Sequence, residues 1–168
     1  MKKIVIYNHG KDSAPWGDKT IAFAKVAKHH GYSVESPDYR EQLDPDKRVE
    51  QLLAMDFIKY DEIILVGSSM GAYVSAVASE SIKPKGIFLL APAFYLPGYR
   101  QTEFKLIAED IRVFHGWQDA IVPPENAWRF CRNYRVRLNL YDTDHRMLNV
   151  IPQLVDEFSR FLAGFSGK

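Results

Sequence analysis

The chain has 168 residues, of which 46% are hydrophobic and 26% charged, and its formal net charge is +1. That length suits one domain over residues 1–168 with a sizeable core, and the composition excludes a disordered or fibrous chain. The small charge gives no reason to expect a nucleic-acid, membrane or acidic partner, and the single cysteine, Cys131, cannot close an internal disulfide, which favours a reducing, cytoplasmic setting.

Lys2-Lys3 leads into Ile4-Val5-Ile6-Tyr7, a β-branched run that predicts a first strand ending at Asn8-His9-Gly10. The run is too short for the apolar stretch of a secretory signal or for a membrane span. A helix is expected from about Asp18, with Phe23, Val26 and Ala27 on one face and Gly31 suited to its C-terminal turn. Residues 33–36 predict a second strand. Asp44-Pro45 is an N-cap and first-turn pair for a helix whose apolar face carries Val49, Leu52, Leu53 and Phe57. Residues 63–66 form a continuous apolar strand, and Gly67-Ser68-Ser69-Met70-Gly71 turns the chain into an Ala- and Val-rich helix. Residues 87–90 and 111–114 predict two more strands. A helix from about Pro124 presents Ala127, Phe130, Cys131 and Tyr134, and residues 136–141 alternate as a last strand. A final helix carries Leu154, Phe158, Phe161 and Leu162.

Strands alternating with helices indicate an α/β fold: a six-stranded, mostly parallel sheet with helices on both faces. The runs at 63–66 and 87–90 contain no polar residue and belong at the centre, whereas 33–36 and 136–141 carry polar residues and belong at the edges. Ligands of such sheets bind beyond the carboxyl ends of the strands, so chemistry is sought after residues 7, 66, 90, 114 and 141.

The sharpest signal follows residue 66. Gly67-Ser68-Ser69-Met70-Gly71 fits G-x-S-x-G, a strand-to-helix turn that lifts a serine above the sheet, with glycines where side chains would strike neighbouring elements. The helix that starts at Met70 aims free N–H groups at the same point. A nucleophilic serine needs a base, and the base needs an orienting acid. Among the five histidines, His145 follows the last strand, where the base of a Ser…Asp…His order falls, and Asp119 follows the strand before it. His29 and His30 close a helix; His9 and His115 end strands and suit structural roles. The plain alternatives are an ordinary turn at Ser69, a helix-capping Asp119 and a solvated His145. Trp16, Phe94, Tyr95, Leu96, Tyr99, Trp117 and Met147 fall on loops at the same end, either as an open, partly aromatic substrate pocket or as small clusters that pack the loops down. No metal-ligand spacing, phosphate-binding loop or dinucleotide fingerprint is present, so neither metal nor cofactor is expected.

Four motifs make the chain resemble the α/β-hydrolase superfamily, and especially its small lid-less serine esterases: Asn8-His9-Gly10-Lys11, Gly67 to Gly71, the G-x-x-D-x-x-V-P run from Gly116 to Pro123, and Asp144-His145-Arg146. The resemblance covers nearly the whole chain. It implies a triad of Ser69, Asp119 and His145, and an oxyanion hole made of the backbone N–H groups of Met70 and Lys11. It also implies a strand order of 2-1-3-4-5-6 and a minimal domain without a cap, the stretch from Ala91 to Asp110 being a loop or short helix. The first motif lacks the extra glycines of the lipase-type His-Gly-Gly-Gly. The function expected is hydrolysis of a small ester, thioester or amide through an acyl-enzyme, with a small ester-like molecule as partner. A binding or regulatory protein that retains the fold is the alternative.

Overall fold

The apolar runs pair edge to edge in the computed structural model, which describes residues 1–165. The strands are β1 (Lys3–Asn8), β2 (Ser33–Glu35), β3 (Glu62–Ser68), β4 (Gly86–Leu90), β5 (Asp110–Gly116) and β6 (Arg137–Tyr141). They form one six-stranded sheet of order β2-β1-β3-β4-β5-β6, the order expected, and every pairing is parallel. β3 and β4 occupy the centre and the polar runs the edges. A parallel strand buried on both faces has no polar face to offer, and the fully apolar stretches went where that constraint applies.

Side-chain alternation along each strand divides the core. Ile4, Ile6 and Leu65 point to one face, where α2 (Pro45–Leu53), α3 (Met70–Ile82) and α4 (Pro124–Tyr134) pack. Val5, Tyr7, Ile64 and Val66 point to the other, covered by α1 (Asp18–His29) and α5 (Ile151–Ala163). The apolar stripe of α5, Leu154, Phe158, Phe161 and Leu162, is fully buried there. Gly31 takes φ +81 just beyond α1, as its position predicted.

The face of α2 differs from the sequence reading. Its buried stripe is Pro45, Arg48, Val49 and Leu52, so Leu53 falls beside it and is 40% exposed, while Phe57 packs from the loop beyond the helix end. Asp44 caps this helix as expected, accepting from the Asp46 and Lys47 N–H groups. The stretch between β4 and β5 contains neither helix nor strand; Phe94 anchors it by stacking on Phe130 of α4, with ring centroids 4.2 Å apart.

Candidate active site

The turn after β3 is shaped by what cannot fit around it. A methyl group on Gly71 would lie 1.8 Å from the Asn8 carbonyl oxygen, and one on Gly67 would lie 2.4 Å from the Gly71 carbonyl oxygen. These contacts draw the start of α3 against the ends of β1 and β3 and leave Ser69 at φ 55, ψ −115, a conformation that costs a residue with a side chain about 1–3 kcal/mol. Backbone bonds secure it there: the Ser69 N–H donates to Leu90 O (2.9 Å), and Ser69 O accepts from the Ala93 N–H (3.1 Å).

Two neighbouring loops supply its partners. Gly116 lets them approach, since a methyl group there would stand 2.2 Å from the Thr143 carbonyl oxygen. The Trp117 N–H donates to Tyr141 O and the Gln118 N–H to Thr143 O, joining the β5 and β6 loops. Asp144 Oδ1 accepts from the Arg146 and Met147 N–H groups and so shapes the turn that presents His145. His145 Nδ1 then lies 2.7 Å from Asp119 Oδ2, and His145 Nε2 lies 2.9 Å from Ser69 Oγ. A carboxylate can only accept, so the imidazole proton sits on Nδ1 and the bare Nε2 accepts from the Ser69 hydroxyl.

Asp119 is buried, and burial alone raises a carboxyl pKa. Hydrogen bonds from His115, His145 and the Val122 N–H outweigh that effect and hold it well below the usual carboxylate range, so it is an anion at neutral pH. His115, read from sequence as structural, is the unexpected member: its fully buried ring places Nε2 3.1 Å from Asp119 Oδ2 and 2.9 Å from Val122 O.

The loop after β1 forms the facing wall. Arg48 reaches it from α2, fully buried, and bonds only carbonyls: Nη1 donates to His9 O and Gly10 O, Nη2 to Tyr39 O and Nε to Gln42 O. His9 locks the same loop, donating from Nδ1 to Gly10 O (2.8 Å) and accepting at Nε2 from the Tyr39 N–H (3.0 Å); burial lowers its pKa and keeps it neutral. With these carbonyls turned to Arg48, the Lys11 N–H has no acceptor among the described residues, and neither has the Met70 N–H at the start of α3. The signal for Arg48 was present in the sequence as an arginine on the 45/48/49/52 stripe.

Ser69, His145 and Lys11 border one cavity of about 810 Å³, lined also by Leu96 and Tyr99, two of the seven residues read as pocket candidates. The other five predicted pocket residues lie elsewhere. Phe94 and Met147 are fully buried in the cores on opposite faces of the sheet, and Tyr95 packs beneath the Arg129 guanidinium, 4.0 Å from its ring centroid. Trp16 and Trp117 are exposed outside the cavity. Loops that hold a site need apolar anchors of their own, and Phe94 and Met147 serve that purpose. Ile121 and Leu148 take the vacated apolar role at the mouth. Among the described residues no group of three or more His, Cys, Asp or Glu is arranged to hold a metal, and no helix is long and apolar enough to cross a membrane.

This architecture recurs in solved structures. A Xanthomonas campestris pv. campestris protein assigned to the α/β-hydrolase superfamily is 27% identical, with a TM-score of 0.85 over 97% of this chain and 99% of that one. The ydeN product of B. subtilis is 17% identical, with a TM-score of 0.81 over 96% of this chain and 100% of its own. The esterase Pf2001 of Pyrococcus furiosus is 21% identical, with a TM-score of 0.71 over 96% of this chain and 83% of its own. The last two likenesses show the fold alone. No curated protein sequence matches the chain. Residues 4–103 match a family model that spans the β1 loop and the Ser69 turn, and the chain therefore belongs to the uncharacterised protein family UPF0227, built on the α/β-hydrolase fold.

Proposed function

We propose that the protein is a serine hydrolase that cleaves a small carboxylic ester through an acyl-enzyme. The observation that carries this reading is the continuous relay from Ser69 Oγ through His145 to Asp119, at 2.9 and 2.7 Å, with Ser69, His145 and Lys11 bordering one cavity. Ser69 Oγ attacks the ester carbonyl carbon as its proton passes to His145 Nε2. Asp119 holds Nδ1–H and stabilises the imidazolium that forms. The oxygen that becomes negative is received by the Met70 and Lys11 N–H groups, whose positions are set before substrate arrives. Collapse of the tetrahedral adduct breaks the bond to the alcohol, which leaves with the proton from Nε2. Water then attacks the acyl-Ser69 carbonyl while His145 takes its proton, and expulsion of Ser69 Oγ, reprotonated by Nε2, releases the acid. The likeness to hydrolases and an esterase supports the reading.

A fluorophosphonate probe is expected to label wild-type protein at Ser69 and to leave Ser69→Ala unlabelled. Turnover of p-nitrophenyl butyrate by Ser69→Ala should fall on the order of 10⁶ in kcat, to the background rate. Labelling at another residue, or a fully active Ser69→Ala, would refute the assignment.

A further inference from the structure

One wall of the cavity has no part in the steps above. It is built by the start of α1, where Gly17, Asp18, Lys19 and Thr20 border the space that holds Ser69. Lys19 extends its ammonium to 3.1 Å from the hydroxyl of Ser68, the residue next to the nucleophile. It forms no ion pair with any carboxylate among the described residues. Burial, reinforced by the charge of Arg146 and opposed by Asp144, lowers its pKa to about 8, so at neutral pH it is still a cation, with Asp144 acting on it from beyond ion-pair distance. Beside it the Tyr7 hydroxyl, on a side chain only 2% exposed, leans toward the Ser68 and Thr20 hydroxyls without completing a hydrogen bond of normal geometry. α1 itself begins without a side-chain cap. The remaining charges on the cavity are Lys11, Arg146, Asp12 and Asp18, all exposed, and His145.

A partly desolvated ammonium with no carboxylate at ion-pair distance is costly, and a buried hydroxyl without a hydrogen bond of normal geometry adds to the cost; an anionic ligand group placed between them offsets both. We propose that Lys19, with the Tyr7 hydroxyl, binds a carboxylate of the substrate, so that the preferred ester carries a negative charge close to its scissile bond. This rests on the hydrolase reading and narrows it to the class of acidic esters. The carboxylate belongs either to the acyl half or to the alcohol half, and two substrate pairs separate these cases. The first is mono-p-nitrophenyl glutarate against its methyl ester; the second is 4-acetoxybenzoate against its methyl ester. Each kcat/KM is divided by the hydroxide rate of the same ester.

In wild-type protein the charged member of one pair is expected to be preferred about tenfold or more. Lys19→Met should bring that ratio close to one, and Lys19→Arg should retain part of it, with folding checked by circular dichroism. Binding is followed separately by NMR titration of glutarate and 4-hydroxybenzoate against their amides, a readout that needs no turnover. Wild type should bind an acid several-fold more tightly than its amide, and Lys19→Met should bind the two alike. Equal binding of acid and amide by wild type for both acids, a wild-type ratio near one in both pairs, or equal losses in Lys19→Met for both members of the pair that wild type discriminates would each overturn the carboxylate site. Failure of Ser69 to label, with the acid still bound through Lys19, would instead remove the hydrolase reading and leave the anion site standing.

Discussion

Both oxygens of the Asp119 carboxylate are committed. Oδ1 accepts from the Ile121 and Val122 N–H groups, and Oδ2 faces His145 Nδ1 and His115 Nε2. An asparagine cannot satisfy this arrangement. With its oxygen on the two backbone donors, its NH₂ must face His145, which forces the proton from Nδ1 to Nε2 and points it at Ser69. Asp119→Asn is therefore expected to lower kcat by roughly 10⁴ with the fold retained, the scale of loss that accompanies a wrong tautomer. Asp142 accepts from the Gln118 side chain and Asp144 from backbone N–H groups, so Asp142→Asn and Asp144→Asn should each leave kcat within about tenfold of wild type. Steady-state kinetics on the three variants gives the comparison, and a crippled Asp142→Asn beside a near-normal Asp119→Asn would misplace the acid.

At the scale of elements, β3 carries two polar devices at opposite ends. Ser69 follows its carboxyl end; Glu62 begins it, buried, with its carboxylate accepting from the Tyr32 hydroxyl and from Lys85 Nζ at 2.9 Å, while Lys3 Nζ stands 3.8 Å away. Burial pushes the Glu62 pKa up, but the Tyr32 hydroxyl and the two lysines outweigh it and the net shift is downward. A depressed carboxyl pKa contributes stability that is fully present above the unfolded value, about 4.3, and is lost as pH falls through the folded value. Glu62→Gln should therefore cost about 2 kcal/mol at pH 7, and its deficit against wild type should shrink below about pH 4. Urea titrations at pH 7 and pH 3.5 measure both, and kcat/KM should not change because the residue lies at the far end of the strand. Elements of this kind were readable because their signals are local: four apolar residues in a row for β3, Asp44-Pro45 for α2, and the G-x-S-x-G turn. The side of a loop that faces the cavity was not. Phe94 and Leu96 are both apolar and two residues apart, and only the position of Phe130 on α4 decides that the first is buried and the second lines the cavity. Lys19 and Ser68, which meet across the cavity, are 49 residues apart, a separation no periodicity reports.

For the molecule as a whole, parallel pairing sends every strand toward the same end, so Ser69, His145, Asp119 and the Lys11 loop gather there without any element crossing the sheet. The stretch between β4 and β5 lays no helix over that end. A long alkyl chain would find little protein to wrap it, and we expect kcat/KM for p-nitrophenyl butyrate to exceed that for the dodecanoate, measured below the critical micelle concentration; the reverse order would show an acyl channel. The glycines at the close approaches divide the site in another way. At Gly67, Gly71 and Gly116 even one added carbon collides with main-chain atoms, so in evolutionary terms these positions are frozen. Ile121 and Leu148 stand at the mouth with free surface around them. If the proposed hydrolysis holds, descendants of this chain can thus exchange one substrate for another by drift at the rim, while the turn that would carry the reaction is inherited unaltered.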